Sequence, residues 1–292
     1  MFLSSLLLAG ALVASPSAAD SLSPVTIRLR ATVGAEPFTC GQAYDGIGRS
    51  AARVTVSDFR FYVHDVHLIR DDGTTVPAAL QPRAPWQDAD VALLDFEDGT
   101  TSCANGTPET NGDVVVLAPA GTYRGVAFTL GVPFTRNHVD LATQSPPLSL
   151  SRLFWSWMGG YKFLRVDMRA SHGDSAATPW VIHLGSTGCT SAPGEKAATT
   201  CTNGNRARIS VTDFDPARDV IVADLAALLT ASDVRRNQPQ TAAGCMSAPN
   251  DEDCGGLFAS LGLAHPAADP ALARPFFRVD RRTPMRGTGA QH

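Results

Sequence analysis

Short apolar runs with a period of two recur along this chain, and turn-forming residues separate them, a pattern that admits strands far more readily than helices. Val25, Ile27, Leu29, Ala31 and Val33 alternate with polar or basic neighbours, as in a half-buried strand. Val54, Val56, Phe59, Phe61 and Val63 follow at steps of two or three, which places a bulge at Ser57-Asp58. Asp72-Gly73 marks a hairpin between Val66-His67-Leu68-Ile69 and Val76. Further runs of this kind lie at 91–96, 114–117, 126–130, 163–168, 180–184, 207–211 and 220–223. About ten short strands at this spacing predict an all-β fold, an antiparallel Greek-key-like sandwich or barrel. Helical signals are few and late. Asp224 begins one short helix through Leu225, Leu228 and Leu229, and Cys254 to Leu263 form another, weakened by Gly255 and Gly256. The segments 98–112, 169–178 and 186–206 are rich in Gly, Ser, Thr, Asn and Pro and read as surface loops.

The first 19 residues are apolar from Phe2 to Ala14 and end in Ser17-Ala18-Ala19 before Asp20, the layout of a signal peptide, although only the amino terminus supplies its positive charge. Export places the six cysteines Cys40, Cys103, Cys189, Cys201, Cys245 and Cys254 in an oxidising compartment, where an even count argues for three disulfides. Sequence alone does not choose the connectivity. Cys189 with Cys201 and Cys245 with Cys254 are natural local staples, which leaves Cys40 for Cys103. A thiolate metal site is the rival reading, but no C-x-x-C occurs, which removes the commonest zinc and redox spacings and the haem attachment motif C-x-x-C-H. A single β domain over 20–292 is expected, with a polar tail frayed from about residue 281. No later stretch approaches the roughly 18 apolar residues of a membrane span. The 24 basic residues are scattered among 28 acidic ones, so no phosphate-tracking surface is built and nucleic acid is not an expected partner.

Familiar catalytic signatures are absent: no G-x-S-x-G, no Walker loop, no G-x-G-x-x-G after a strand, no H-E-x-x-H. Carboxylate pairs such as Glu97-Asp98 stand in turn-like sequence and read as solvated turn residues. Of the histidines His64, His67, His138, His172, His183, His265 and His292, the first two are three apart. On one regular strand they point to opposite faces, so at most one of them is a metal ligand. His138 follows Gly131-Val132-Pro133-Phe134, a strand exit into a Pro-marked loop, and His183 ends an apolar strand just before Cys189. Either alone is more often a hydrogen-bonded structural residue. Trp155-Ser156-Trp157 is the other unusual feature, and in an extended segment its two rings share a face, most simply as core aromatics. Indole nitrogen is a donor only. Oxidative opening of the ring to kynurenine supplies an aniline nitrogen with a free lone pair, and beside two imidazoles that makes a nitrogen site suited to copper.

Eight short motifs occur in order: Phe38-Thr39-Cys40-Gly41, Asp58-Phe59-Arg60-Phe61-Tyr62-Val63, Leu93-Leu94-Asp95-Phe96-Glu97, Gly131-Val132-Pro133 with Asn137-His138, Trp155-Ser156-Trp157, Gly160-Tyr161-Lys162-Phe163, His183-Leu184-Gly185-Ser186-Thr187-Gly188-Cys189, and Gly244-Cys245-Met246-Ser247. Together, across about residues 25 to 265, they resemble the methanobactin-operon copper-binding proteins, the MbnP-like or four-Cys metallo-mystery-pair family. The resemblance implies a periplasmic protein paired with a dihaem enzyme of the cytochrome c peroxidase and MauG type (MbnH-like), which oxidises the first Trp of W-x-W to kynurenine. That residue here is Trp155. It further implies one copper held as Cu(I) only after this modification, with His138 and His183 as imidazole ligands by their motif positions. Trp157 becomes a relay for the oxidising equivalent or a packing neighbour, and His64 a possible extra ligand. Lacking C-x-x-C-H, the chain takes its oxidising power from the partner.

The function expected from the sequence is therefore periplasmic copper binding in copper handling or homeostasis, without enzyme activity. Cu(I) suits three ligands because a filled d shell imposes little geometry. One rival is a disulfide-bonded extracellular β-sandwich that binds carbohydrate or protein through exposed aromatics, without metal. Another is a copper oxidase or oxygenase, which requires an open coordination position.

Overall fold

The computed structural model describes residues 21–281 except His172 and Asp174. The expected signal peptide, His172, His292 and nearly all of the expected tail lie outside the described residues. The fold is mostly β, with curled sheets forming a half-barrel and a few short helices, as the period-two pattern predicts. In the larger sheet the strands run Ala207–Thr212, Tyr123–Leu130, Ala52–Arg70, Leu164–Ser171, Thr178–Leu184, Gly244–Cys245. The smaller sheet runs Phe277–Arg281, Asp219–Asp224, Leu22–Val33, Asp113–Pro119, Ala79–Leu80. Most pairings are antiparallel, but Leu22–Val33 lies parallel to Asp219–Asp224, and Thr178–Leu184 parallel to Gly244–Cys245. These two depart from the antiparallel expectation because each partner returns through a long connection, which frees it from the hairpin constraint.

Ala52–Arg70 is the spine of the larger sheet. Its first half pairs with Leu164–Ser171 and its second half with Tyr123–Leu130. Asp167 opposes Asp58 and Met168 opposes Val56, so Ser57 is the extra residue of a bulge where the sequence places one. A second bulge was hidden: His64 pairs with Thr129 and His67 with Ala127, with Asp65 at φ +50° between them. Thr129 and Ala127 share a face, so His64 and His67 do too, which corrects the expectation for a regular strand. They still do not meet. His64 donates through Nδ1 to the Gly131 carbonyl at 2.9 Å, whereas His67 turns to the Asp65 carbonyl and Arg208. The Asp72-Gly73 hairpin is as expected, with Gly73 at φ +82° and Leu68 opposite Val76.

Alternation sends Phe59 and Phe61 between the sheets, where they meet Phe38, Phe96, Phe276 and Phe277 edge-on, tilted or stacked. Truncating either to Ala costs about 3–5 kcal/mol. All three disulfides join the pairs that spacing favours, Cys40–Cys103, Cys189–Cys201 and Cys245–Cys254. The Asp224 side chain caps Leu225–Leu228 by accepting from the Ala226 and Ala227 amides, and the second helix is Gly255–Ser260. The segment 186–206 is not a plain loop. Thr187–Thr190 and Thr200–Asn203 form a two-stranded ribbon, paired with neither large sheet and pinned by Cys189–Cys201.

Candidate metal centre

On the face of the larger sheet opposite the Phe core, alternate residues of three strands are polar. Arg165 stands between Arg60 and His183, and Asp167 lies beside Asp58, while Phe59, Phe61, Val166 and Ile182 point the other way. Two arginines in direct register repel. Carboxylates offset this: Asp58 accepts from Arg60 through both oxygens and lies 3.2 Å from Arg165, and Arg165 in turn donates to Asp167. Asp95 and Glu97 approach Arg60 from the neighbouring strand and loop at 3.8 and 3.2 Å. Burial alone pulls the Arg60 guanidinium down, but its hydrogen bond to Asp58 and the surrounding charges hold it above its ordinary value. With Asp58 already matching that charge, burial pushes Asp95 up to about 8 and also raises Glu97.

This ladder ends at His183. Its Nε2 donates to Asp167 Oδ1 at 2.6 Å. Burial raises Asp167, but hydrogen bonds from His183 and Arg165 outweigh that and keep it ionised well below the usual carboxylate range. Burial lowers the His183 pKa, and Asp167 only partly restores it, so the ring is neutral at pH 7. A neutral ring that donates from Nε2 carries a bare lone pair on Nδ1, and among the described residues that buried atom has no hydrogen-bond partner. An imidazole oriented by a carboxylate, with its other nitrogen free, is the arrangement metal-binding histidines use. Trp155 packs beside it, ring centroids 6.4 Å apart. Gly185 makes the approach possible: a Cβ there would lie 2.4 Å from the indole and 2.8 Å from the Tyr161 carbonyl.

Trp155 belongs to a small hairpin of Phe154–Ser156 and Gly160–Tyr161, and it is half-buried rather than a core residue. Trp157, in the connecting turn, is 38% exposed, with the Lys196 ammonium 5.8 Å from its ring. His138 clasps this turn. It follows the Phe134–Asn137 helix, not the loop that Pro133 suggested, and its Nδ1 donates to the Trp157 carbonyl at 2.8 Å. Its Nε2 accepts from Asn137 at 2.9 Å and lies 3.3 Å from Cys201 Sγ. Asn137 also accepts from the Tyr161 amide and fills the space a side chain at Gly160 would take. Burial lowers the pKa of both His138 and His64.

The structure thus brings Trp155 and His183 together. His138 joins the same loop through the Trp157 carbonyl, and His64 donates to the Gly131 carbonyl. The donors fit copper in part: one neutral buried imidazole nitrogen is free beside Trp155, and a second, on His138, is engaged by Asn137. Asp167, Asn137 and Gly185 were not singled out as site residues from the sequence. For Asp167 a signal exists, because Arg165 and Asp167 alternate with Leu164, Val166 and Met168 inside a strand and so mark a buried polar face.

The sequence model of the MbnP family matches residues 22–247. Among solved structures the chain is similar to MbnP from Methylosinus trichosporium, with a TM-score of 0.75 and 28% identity over 90% of this chain and 99% of that one. No curated protein matches.

Proposed function

This chain belongs to the MbnP family, and from that premise we propose that it is a periplasmic copper-binding protein of the methanobactin-operon type, holding one Cu(I) for copper handling rather than catalysing a reaction. The observation that carries the reading is the bare, buried Nδ1 of His183 beside Trp155. A lone pair buried away from protein hydrogen-bond donors costs about 1–3 kcal/mol, and a bound cation removes that cost. Indole offers the ion nothing as it stands. Its conversion to kynurenine by a dihaem peroxidase partner of the MauG type (MbnH-like) supplies the second nitrogen.

His138 is the other imidazole of this set, held on the same loop, and it serves once its Nε2 gives up the Asn137 amide. His64, its Nδ1–H on Gly131, keeps Nε2 as a reserve donor. The exposure of Trp157 suits a relay that receives the oxidising equivalent from a docked partner. Three disulfides support an exported chain, and among the described residues no helix is long and apolar enough to cross a membrane.

Peptide mass spectrometry with metal analysis, on protein made with and without the partner, tests the proposal. The expected result is a Trp155 peptide that has gained one oxygen and lost one carbon only with the partner, together with copper near one per chain. An unmodified peptide and no copper in the presence of the active partner overturn it in favour of a plain binding module.

A further inference from the structure

The Thr187–Thr190 and Thr200–Asn203 ribbon holds a second set of donors. Cys189 opposes Cys201 directly in register, with Cα atoms 3.8 Å apart. Between them the strands close tightly, because Gly188 takes φ +64° and a Cβ there would lie 3.0 Å from Thr202 Cβ. Directly opposed residues send their side chains to one face, so the two sulfurs stay neighbours whether or not they are bonded. Both cysteines are half-buried, whereas the other four are buried. Reagents in solution therefore reach this disulfide first.

His138 faces that pair. Its Nε2 is 3.3 Å from Cys201 Sγ, and the nitrogen and both sulfurs lie within 4.8 Å of one another. The imidazole is oriented without help from the sulfurs, since Nδ1–H is fixed on the Trp157 carbonyl. Nε2 lies on the side of the sulfurs, where it accepts from the Asn137 amide at 2.9 Å and must exchange that hydrogen bond for a metal ion. The other Cys-containing cluster, Cys40, Asp98 and Cys103, has no imidazole, and its disulfide is buried.

We propose that reduction of Cys189–Cys201 creates, with His138, a second metal site in this protein, a thiol-gated NS2 site for Cu(I). A dithiol reductant delivers two electrons and two protons to the S–S bond, which breaks into two thiols as the reductant closes to its own disulfide. Cu(I) then displaces the two thiol protons and binds both thiolates and Nε2 without changing oxidation state. Thiolates select a soft cation, and three donors satisfy Cu(I), whereas Zn(II) at a structural site takes four. A disulfide oxidant takes the two electrons back by thiol–disulfide exchange, gaining two protons to become a dithiol, and the re-formed Cys189–Cys201 bond removes two of the three ligands and expels the ion. The site shares only His138 with the kynurenine reading.

The test uses the full mature chain made without the partner, so that Trp155 is intact and the kynurenine site takes no copper. Limited reduction with dithiothreitol is followed by thiol counting and anaerobic Cu(I) titration against a chromophoric chelator. The expected result is two thiols and one Cu(I) per reduced chain, none in the oxidised chain, and none after the two thiols are alkylated. Cys189→Ser with Cys201→Ser is expected to abolish uptake, and His138→Ala to weaken it by on the order of a hundredfold. Uptake that survives alkylation or the double substitution, uptake unaffected by His138→Ala, no uptake by the reduced wild type, or preference for Zn(II) over Cu(I) overturns the proposal. Since alkylation acts on the folded wild type, misfolding of a variant leaves the outcome decidable.

Discussion

His183 and Asp95 belong to one polar network yet answer to different physics. For His183 the question is which nitrogen is free, and Asp167 decides it by taking Nε2–H. Asp167→Asn removes the charge that fixes this tautomer, so Cu(I) affinity of the kynurenine-bearing protein is expected to fall about 10–100-fold, read by chelator competition. His183→Ala is expected to abolish that site while leaving conversion of Trp155 intact. For Asp95 the question is charge. In the folded chain it ionises only near pH 8, against about 4 when unfolded. A folded pKa above the unfolded one gives stability that is whole below pH 4 and is lost as pH rises through about 8, and raised Glu97 adds in the same direction. Below about pH 6.5 the lowered histidines His64, His138 and His183 add stability as pH rises and oppose this. Urea midpoints are therefore expected to fall from pH 7 to 8, by about 1 kcal/mol in stability, and Asp95→Asn to flatten that slope.

At the scale of elements, glycine sets two close approaches. Gly185→Ala drives a methyl into the Trp155 ring and the Tyr161 carbonyl, so the proposed conversion of Trp155 is expected to drop severalfold, measured by peptide mass spectrometry, and stability to fall by about 1–3 kcal/mol. Gly244 sits at φ +81° with Val181 backbone atoms 2.3 and 2.5 Å from where a Cβ would be, so Gly244→Ala is expected to unpair the edge strand and lower stability by about 1–3 kcal/mol in urea melts. What the sequence made legible follows from burial. The strands of the large sheets each bury a face, so alternation betrays them, and the Ser57 bulge is visible where apolar spacing slips from two to three. The Cys189–Cys201 ribbon alternates only between half-buried and exposed positions, and its Thr, Gly and Asn carry no apolar period, so it reads as loop. The four residues 134–137 are too few to show a helical period, and the Asp65 bulge does leave an apolar step of three, from Val63 to Val66, but it falls where the pattern reads as the end of one run and the start of the next. The Trp155 motif was legible as a motif. Alternation marks Asp167 as part of a polar face, but that it faces His183, and that Gly185 makes room for Trp155, emerge only from pairing across the chain.

The whole molecule is stapled unevenly. Cys40–Cys103 closes a separation of 63 residues and Cys245–Cys254 one of 9. Loop-closure entropy alone makes the first worth about 4 kcal/mol and the second about 2.5 kcal/mol. Replacing Cys40 and Cys103 by Ala is therefore expected to lower the urea midpoint more than the same change at Cys245 and Cys254. The two-sheet layout also governs when the chain acquires its shape. Leu22–Val33, at the start, takes its parallel partner from Asp219–Asp224, and Arg53 waits for Ser171. A polypeptide that emerges amino end first, from a ribosome or through a translocation channel, has no finished sheet to close until nearly all of it has come through. Local hairpins such as Ile69 with Thr75 close as they emerge, but the smaller sheet is complete only when Asp219–Asp224 and Phe277–Arg281 arrive. Ala52–Arg70 meets its nearby partners Ala43–Ile47, Thr75–Pro77 and Ala92–Asp95 early, but the edge that Leu164–Ser171 covers stays open in transit, an unpaired edge exposed to aggregation until that strand arrives.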